Sequence, residues 1–252
     1  MRTCRGWHDR LVSESVDERR ERLTGQVPEW YRAVMEPHDV ETAFILGSYH
    51  MLQRGWVHAS LARAWFAVAA ENAPVDMAWR IADEYCRWGD PRQANKWMRY
   101  AIATEYRMRP GGVAVDPGTY ALVIDHRGSA VGQDFGVQVV SADDDRATAA
   151  LTAAALRFAT VTADGRELGA GGNGTGGRDA TPTSVSGPDP APDGPTLSCD
   201  CGDLLVPLMA RTMIGILAEE IRAAGLDGAE IRPRPGSRIR DGATPTLAHV
   251  GR

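Results

Sequence analysis

Lysine is all but missing from this chain: Lys96 is the only one among 28 basic side chains, so arginine supplies the other 27. Together with abundant alanine and glycine, that bias is of the GC-rich, actinobacterial type and carries no functional message. A strong excess of either charge is missing too. The formal charge is −5 over 252 residues. Residues 1–110 hold 16 basic and 15 acidic groups, leaving 12 and 18 for residues 111–252. A net of +1 followed by −6 offers no general attraction to phosphate backbones, which argues against nucleic acid as the main partner. Long apolar runs are absent as well. Leu204 to Ala218 is the longest candidate membrane segment, at 15 residues, and Arg211 interrupts it, so it is too short and too polar to span hydrocarbon. Met1 to Arg10 has no apolar stretch of the length a signal peptide needs, so a soluble, cytoplasmic protein with no membrane partner is expected. Tryptophan is missing after Trp97. All seven indoles (Trp7, Trp30, Trp56, Trp65, Trp79, Trp88, Trp97) precede that point, and the loss of aromatics after Tyr120 favours two domains over one.

What the front half contains is helix. Asp90-Pro91-Arg92-Gln93 is a start signal: Asp caps, Pro at the first helical position lacks an amide proton that would be unpaired anyway, and Gln reaches back. From there Ala94, Trp97, Met98, Ala101 and Ile102 form one apolar stripe at i, i+3, i+4, i+7 and i+8. Ala78, Ile81, Ala82 and Tyr85 repeat the pattern upstream, and Gly89 ends that helix. Small residues at crossing points let two backbones approach, while Tyr and Trp fill the volume between hairpins. The order Ala82, Tyr85, Ala94, Met98, Ala101 resembles the tetratricopeptide family, whose repeats run to about 34 residues, with Met98 in place of the usual aromatic. A second, looser unit places Gly47 and His50 in its first helix and Ala62, Phe66, Ala69 and Pro74 in its second. The resemblance covers about residues 40–106, and Asp9 to Thr24 and Glu29 to Met35 stand where caps would. It implies a concave groove for a peptide or partner helix. Arg54, Arg63, Arg87, Arg92 and Arg99 are the candidate groove residues, suited to an acidic segment. The competing expectation is a compact bundle with every Trp in its core.

Pro110-Gly111-Gly112 breaks the helix and marks the expected boundary. Tyr120 to Asp125 reads as a strand, His126 to Asp134 as a loop and Phe135 to Val140 as a second strand. Ser141 to Asp144 resembles a capping box feeding an alanine-rich helix to about Leu156, with Asp143, Asp144 and Asp145 at its positive end. A strand to about Ala163 follows, and Asp164-Gly165 signals a turn returning through Leu168. Residues 169–195 are rich in Gly and Pro and read as a flexible linker. Thr196 to Cys201 reads as a strand, Pro207 to Ala224 as an amphipathic helix closed by Gly225, and Ala229 to Arg232 as a strand. Residues 233–252 form a tail carrying Arg234, Arg238 and Arg240. The expected fold is α+β: a helical domain over 1–109, then an α/β or α+β domain over 111–168 and 196–232 with a long insertion. Val139 to Asp143 and Leu197 to Asp200 look alike, which points to two related strand-helix units in one sheet.

Chemistry has few footholds. Cys199 and Cys201 flank Asp200 beside a helix start, where a thiolate is stabilised, yet a zinc site needs four ligands, and Cys4 and Cys86 lie in the other domain. Asp143, Asp144, Asp145, Asp200 and Asp203 would hold Mg²⁺ only if the two acidic turns converge within about 8 Å. Helix capping is the favoured explanation of them. Asp125-His126-Arg127-Gly128-Ser129 offers a base, an anion clamp and a hydroxyl in one loop, and a polar hairpin loop explains that. No phosphate cradle, paired-cysteine zinc pattern or nucleophile elbow is present, so no cofactor is expected. The leading expectation is a non-enzymatic protein that binds another protein or peptide through its helical surface. Its alternatives are a small Mg²⁺-dependent enzyme and a nucleic-acid-associated protein using the arginine-rich tail.

Overall fold

A computed structural model of the chain describes residues 40–53, 55–88, 90–107, 112–126, 130–162, 165–167, 184–201 and 207–238. It divides into two compact units, one ending at Ile81 and one beginning at Ala82. That division falls within a helix, not at the Pro110 to Gly112 break, and the helix before the break is grouped with the sheet. The expected caps, residues 169–183 of the expected linker and the tail from residue 239 onward lie outside the described residues.

The first unit is built from paired helices, α1 (Val40–Leu52) and α2 (Trp56–Asn72), followed by the start of α3 (Pro74–Arg87). Helices α1 and α2 run antiparallel: Phe44 packs on Phe66 with ring centroids 5.7 Å apart, and His50 faces His58 at 5.3 Å. Between these contacts lies Gly47, where a Cβ would come within 2.4 Å of the Phe66 ring. The missing side chain is what allows the two backbones so close. Ala62, Trp65, Phe66, Val68 and Ala69 of α2 are all buried, so this helix is covered on more than one face. Arg80 of α3 ties back to α1, chelating Glu41 and lying 4.3 Å over the Phe44 ring.

In the second unit α4 (Pro91–Arg107) starts as its sequence requires, with the Gln93 amide donating to the Asp90 carboxylate at 3.0 Å. The strands are β1 (Ala114–Val115), β2 (Ala121–His126), β3 (Ala130–Val140), β4 (Ser184–Asp189), β5 (Thr196–Asp200) and β6 (Glu230–Pro233). Helix α5 (Asp144–Phe158) follows β3, and α6 (Pro207–Ala223) follows β5. The sheet order is β1-β6-β3-β5-β4, with β2 pairing the first half of β3. Only β1 and β6 are parallel neighbours; β3 is antiparallel to β5 and β6, and β5 to β4. Strands β3 and β4 therefore share a direction with β5 between them, and β5 and β6 share one with β3 between them. This is the β-α-β-β-α-β, ferredoxin-like plan, with β1 and β2 added. The α+β class with a helical front is present, and β3 and β5 are each followed in the chain by a helix.

Three details differ from the sequence reading. Strand β3 begins at Ala130, extending through what read as loop, because β2 pairs with it residue for residue from Phe135 back to Ala130. The strand expected up to Ala163 is only a bridge between Val161 and Glu167. Ser184–Asp189, within the expected linker, is an edge strand held by its ladder to β5 and a 2.6 Å Ser186–Ser198 hydroxyl contact.

Strand register sorts the sheet into two faces. Phe135, Val137, Val139, Leu197 and Ile231 face one way, and Phe135 stacks on Tyr120 and meets Phe158 of α5 edge-on. All of these are buried, each side chain contributing about 1.5–3 kcal/mol. The opposite face carries Asp134, Gln138, Thr196, Ser198 and Asp200, polar side chains of which all but Asp200 are buried.

Candidate functional site

Strand direction separates the acidic turns. Asp200 ends β5 opposite Asp134, whereas Asp143 follows the far end of β3, beyond Val140. Six residues of extended strand from Asp134 to Val140 put about 20 Å between them. Asp143 and Asp200 therefore lie toward opposite ends of the sheet and not in one cleft. Asp143 is the N-cap of α5, accepting from the Arg146 amide at 3.0 Å, and Asp144 and Asp145 sit exposed in its first turn. Asp203 lies outside the described residues. Among those described, no three His, Cys, Asp or Glu side chains group to hold a metal.

Cys199 and Cys201 are both buried and reduced. Cys201 donates its thiol proton to the Cys199 carbonyl at 3.3 Å. The hydrogen bond to Cys201, then burial and the nearby Asp134 and Asp200 carboxylates, push the Cys199 thiol well above its ordinary range. Cys86 is likewise pushed up to about 12 by burial and by Asp83. Cys199 and Cys86 thus hold their protons, the opposite of what nucleophilic or metal-binding cysteines require. Asp125 and His126 close β2, and Arg127 to Ser129 lie outside the described residues.

Arg87 pairs with Asp83 at 2.7 Å one turn away, Arg99 donates to the Pro117 carbonyl at 2.7 Å, and Arg92 is exposed near the start of α4. Arg54 is outside the described residues. Arg63 is exposed on α2 and donates to Ser60, whose hydroxyl donates to the Trp56 carbonyl. Trp56, Ser60 and Arg63 thus follow one stripe at i, i+4 and i+7.

That stripe leads to an apolar surface. Trp56 is 80% exposed, beside exposed Val57, and α1 contributes exposed Ile45 and Leu52 at i and i+7. The indoles consequently divide. Trp65 and Trp79 are core, while Trp56 and, less so, Trp88 face outward. Nearby, the buried His50 ring meets His58 with their Nδ1 atoms 3.0 Å apart. Burial, and secondarily the second ring, hold His50 below the ordinary imidazole range.

A concave feature unseen in the sequence reading opens along α6 in the sheet-bearing unit, as a cleft of about 410 Å³. Its floor is the face of α6 that turns away from the sheet, Leu208, Arg211, Thr212, Gly215 and Glu219, spaced by three and four residues. One wall is the end of α4 with Glu105 and Tyr106; the other is Arg157 and the turn at Gly165 to Glu167. Gly165 adopts φ +76, and a Cβ there would collide with the Leu208 backbone at 2.5 Å. Glycine thus lets the turn rest on α6, where Thr212 donates to its carbonyl. Arg157 binds Glu167 at 2.7 and 2.8 Å, Glu220 at 2.8 Å and Glu219 at 3.0 Å. The hydrogen bonds from Arg157 hold the Glu167 carboxyl below the usual range. Arg211 reaches Glu105 through longer contacts of 3.2 and 3.4 Å. The readable signal for this site was Gly215, a glycine in mid-helix with no turn to explain it.

Comparison of the chain with family models, with curated proteins and with solved structures finds no match. Among the described residues, no helix is long and apolar enough to cross a membrane.

Proposed function

We propose that the protein is a cytoplasmic, non-enzymatic binding protein whose α1–α2 hairpin takes up an apolar segment of a protein partner. The observation carrying this reading is the exposed Trp56 and Val57 that open α2, following the exposed Leu52 that ends α1, with Ile45 exposed two turns earlier on α1. An indole four-fifths exposed contributes little to the fold but a great deal to an interface, where Trp is the residue most enriched among energetic anchors. Arg63, on the Trp56 stripe, favours a partner with an acidic residue one or two turns from its apolar anchor. The tetratricopeptide-like reading belongs to the same proposal. The Gly47–Phe66 approach supports it for the looser unit, and Ala82, Tyr85, Ala94, Met98 and Ala101 supply the small and large residues of the other.

The test replaces Leu52 and Trp56 with Ala together. The melting temperature is expected to stay within about 2 °C, since exposed positions away from special features change stability by under about 0.5 kcal/mol. Partner affinity should fall at least thirtyfold, the loss of a hot spot of about 2 kcal/mol. Recovery of the same partner by wild type and variant in a quantitative pull-down would remove the proposal.

A further inference from the structure

We propose that the His50–His58 pair is a pH-operated clasp: it fastens the first turn of α2, which carries Trp56 and Val57, to α1 at neutral pH and lets go in acid. The contact accommodates the neutral pair and not the protonated one. The two Nδ1 atoms lie 3.0 Å apart, so one donates to the other, and His50 is buried with its Nε2 atom lacking any hydrogen-bond partner. In the neutral pair the better arrangement puts the shared hydrogen on His50. Its Nε2 is then a bare lone pair, and the second hydrogen sits on Nε2 of the half-buried His58. An added proton removes that solution. Four ring nitrogens then hold three hydrogens, and with one shared between the Nδ1 atoms, each Nε2 must carry one, whichever ring bears the charge. His50 would bury an N–H with no acceptor, a cost the pair escapes by parting.

Little else holds that turn to α1. Trp56 and Val57 are exposed, His58, Ala59 and Ser60 are half-buried, and the first buried residue of α2 is Leu61. Ser60 bonds back to the Trp56 carbonyl of its own helix, so among the described residues the bond to His50 is the one side-chain hydrogen bond tying residues 56–60 to another element. Gly55, which caps α2 at φ +121, has no side chain to receive an amide proton. A proton on His58 also places a cation at the positive end of α2, which weakens the same turn. Other charges do not take the clasp's place. On α1, Tyr49 meets the His50 ring edge-on at 5.5 Å, and Glu41, nine residues before His50, is bound by Arg80 of α3. On α2, Arg63 is exposed five residues past His58, and Glu71 lies about 20 Å along the helix from it. Asp76, in the first turn of α3, follows that far end. Burial, and secondarily His58, hold His50 below the ordinary imidazole range, so the clasp is complete above about pH 6.5 and is lost as the pH falls further.

The experiment measures amide hydrogen exchange on the full-length protein at pH 7.5 and 5.5, expressed as protection relative to an unstructured chain so that the intrinsic pH dependence cancels. Protection of Ala59, Ser60 and Leu61, whose amides close the first turn of α2, is expected to fall about tenfold more in acid than that of Val68, Ala69 and Ala70 near the other end. His58→Gln, which keeps a donor and an acceptor but cannot titrate, should abolish this difference. His50→Leu should show the loosened first turn already at pH 7.5; should that buried substitution unfold the protein, the half-buried His58→Gln carries the test. The proposal is overturned if the first turn follows the control residues in wild type, if His58→Gln retains the wild-type response, or if folded His50→Leu keeps full protection. Because the readout is α2 itself, the clasp is tested separately from partner binding at Trp56.

Discussion

Gly47 and His50 sit one turn apart on α1, and each turns a local packing fact into a measurable consequence. At Gly47 the added methyl of Gly47→Ala would lie 2.4 Å from the ring of Phe66, itself fully buried and unable to swing away. Overpacking of this kind costs about 1–3 kcal/mol, against a helix-propensity gain of about 1 kcal/mol, so the clash should win. A lowered urea midpoint with an unchanged m-value is the expected result. At His50 the sign follows from the direction of the shift. Burial and His58 depress its folded pKa, so between the ordinary imidazole value and the folded value the unfolded chain binds more protons. The first unit should therefore keep its full stability above about pH 6.5 and lose it as the pH falls further. His50→Leu should flatten that dependence in denaturation curves taken from pH 7.5 to 5. A slope that survives the substitution would assign it to another group.

Arg157 shows how several helices and turns are fastened through one side chain. It leaves the end of α5 and engages Glu167 of the turn and Glu219 and Glu220 of α6. The guanidinium is about one-third exposed (32%), so water weakens each pair, and the network is worth roughly 1–2 kcal/mol. Arg157→Met should cost about that much near neutral pH. Because Arg157 holds Glu167 below its ordinary range, this stabilisation is present above that range and lost as the pH falls through the folded value. The wild-type advantage should thus shrink in acid and in high salt. None of this was readable beforehand, since the partners come from segments about 10 and 60 positions apart. What was readable was local. The Asp90 cap, the start and length of α5, the body of α6 and strands β5 and β6 all follow from signals within a turn or two of the residues concerned. Ser-Val-Ser-Gly-Pro-Asp at β4 has one apolar side chain, so nothing in it announced a strand; its pairing with β5 supplies the order. Asp143 and Asp200 lie apart for a related reason: they follow similar strand sequences, but strand direction decides where each one lies, and direction belongs to the sheet.

The placement of α4 distinguishes the composition boundary from the physical one. Aromatic content drops and Gly-rich sequence begins after Arg107, yet α4 belongs to the unit that starts at Ala82. Arg99 holds the loop before β2 through the Pro117 carbonyl, Thr119 donates to Asn95, and Glu105 pairs with Arg211 of α6. Ala94, Met98, Ala101, Ile102 and Tyr106 are buried. Removing the helix would strip apolar cover from the sheet unit and leave Arg211 without Glu105, a loss of several kcal/mol for a domain whose net stability is about 5–15 kcal/mol. A fragment of residues 111–252 is therefore expected to be digested rapidly by protease, and one of residues 82–252, which keeps α4 and its Asp90 cap, to resist. If the shorter fragment proves equally resistant and melts at the same temperature, α4 is not part of that folding unit.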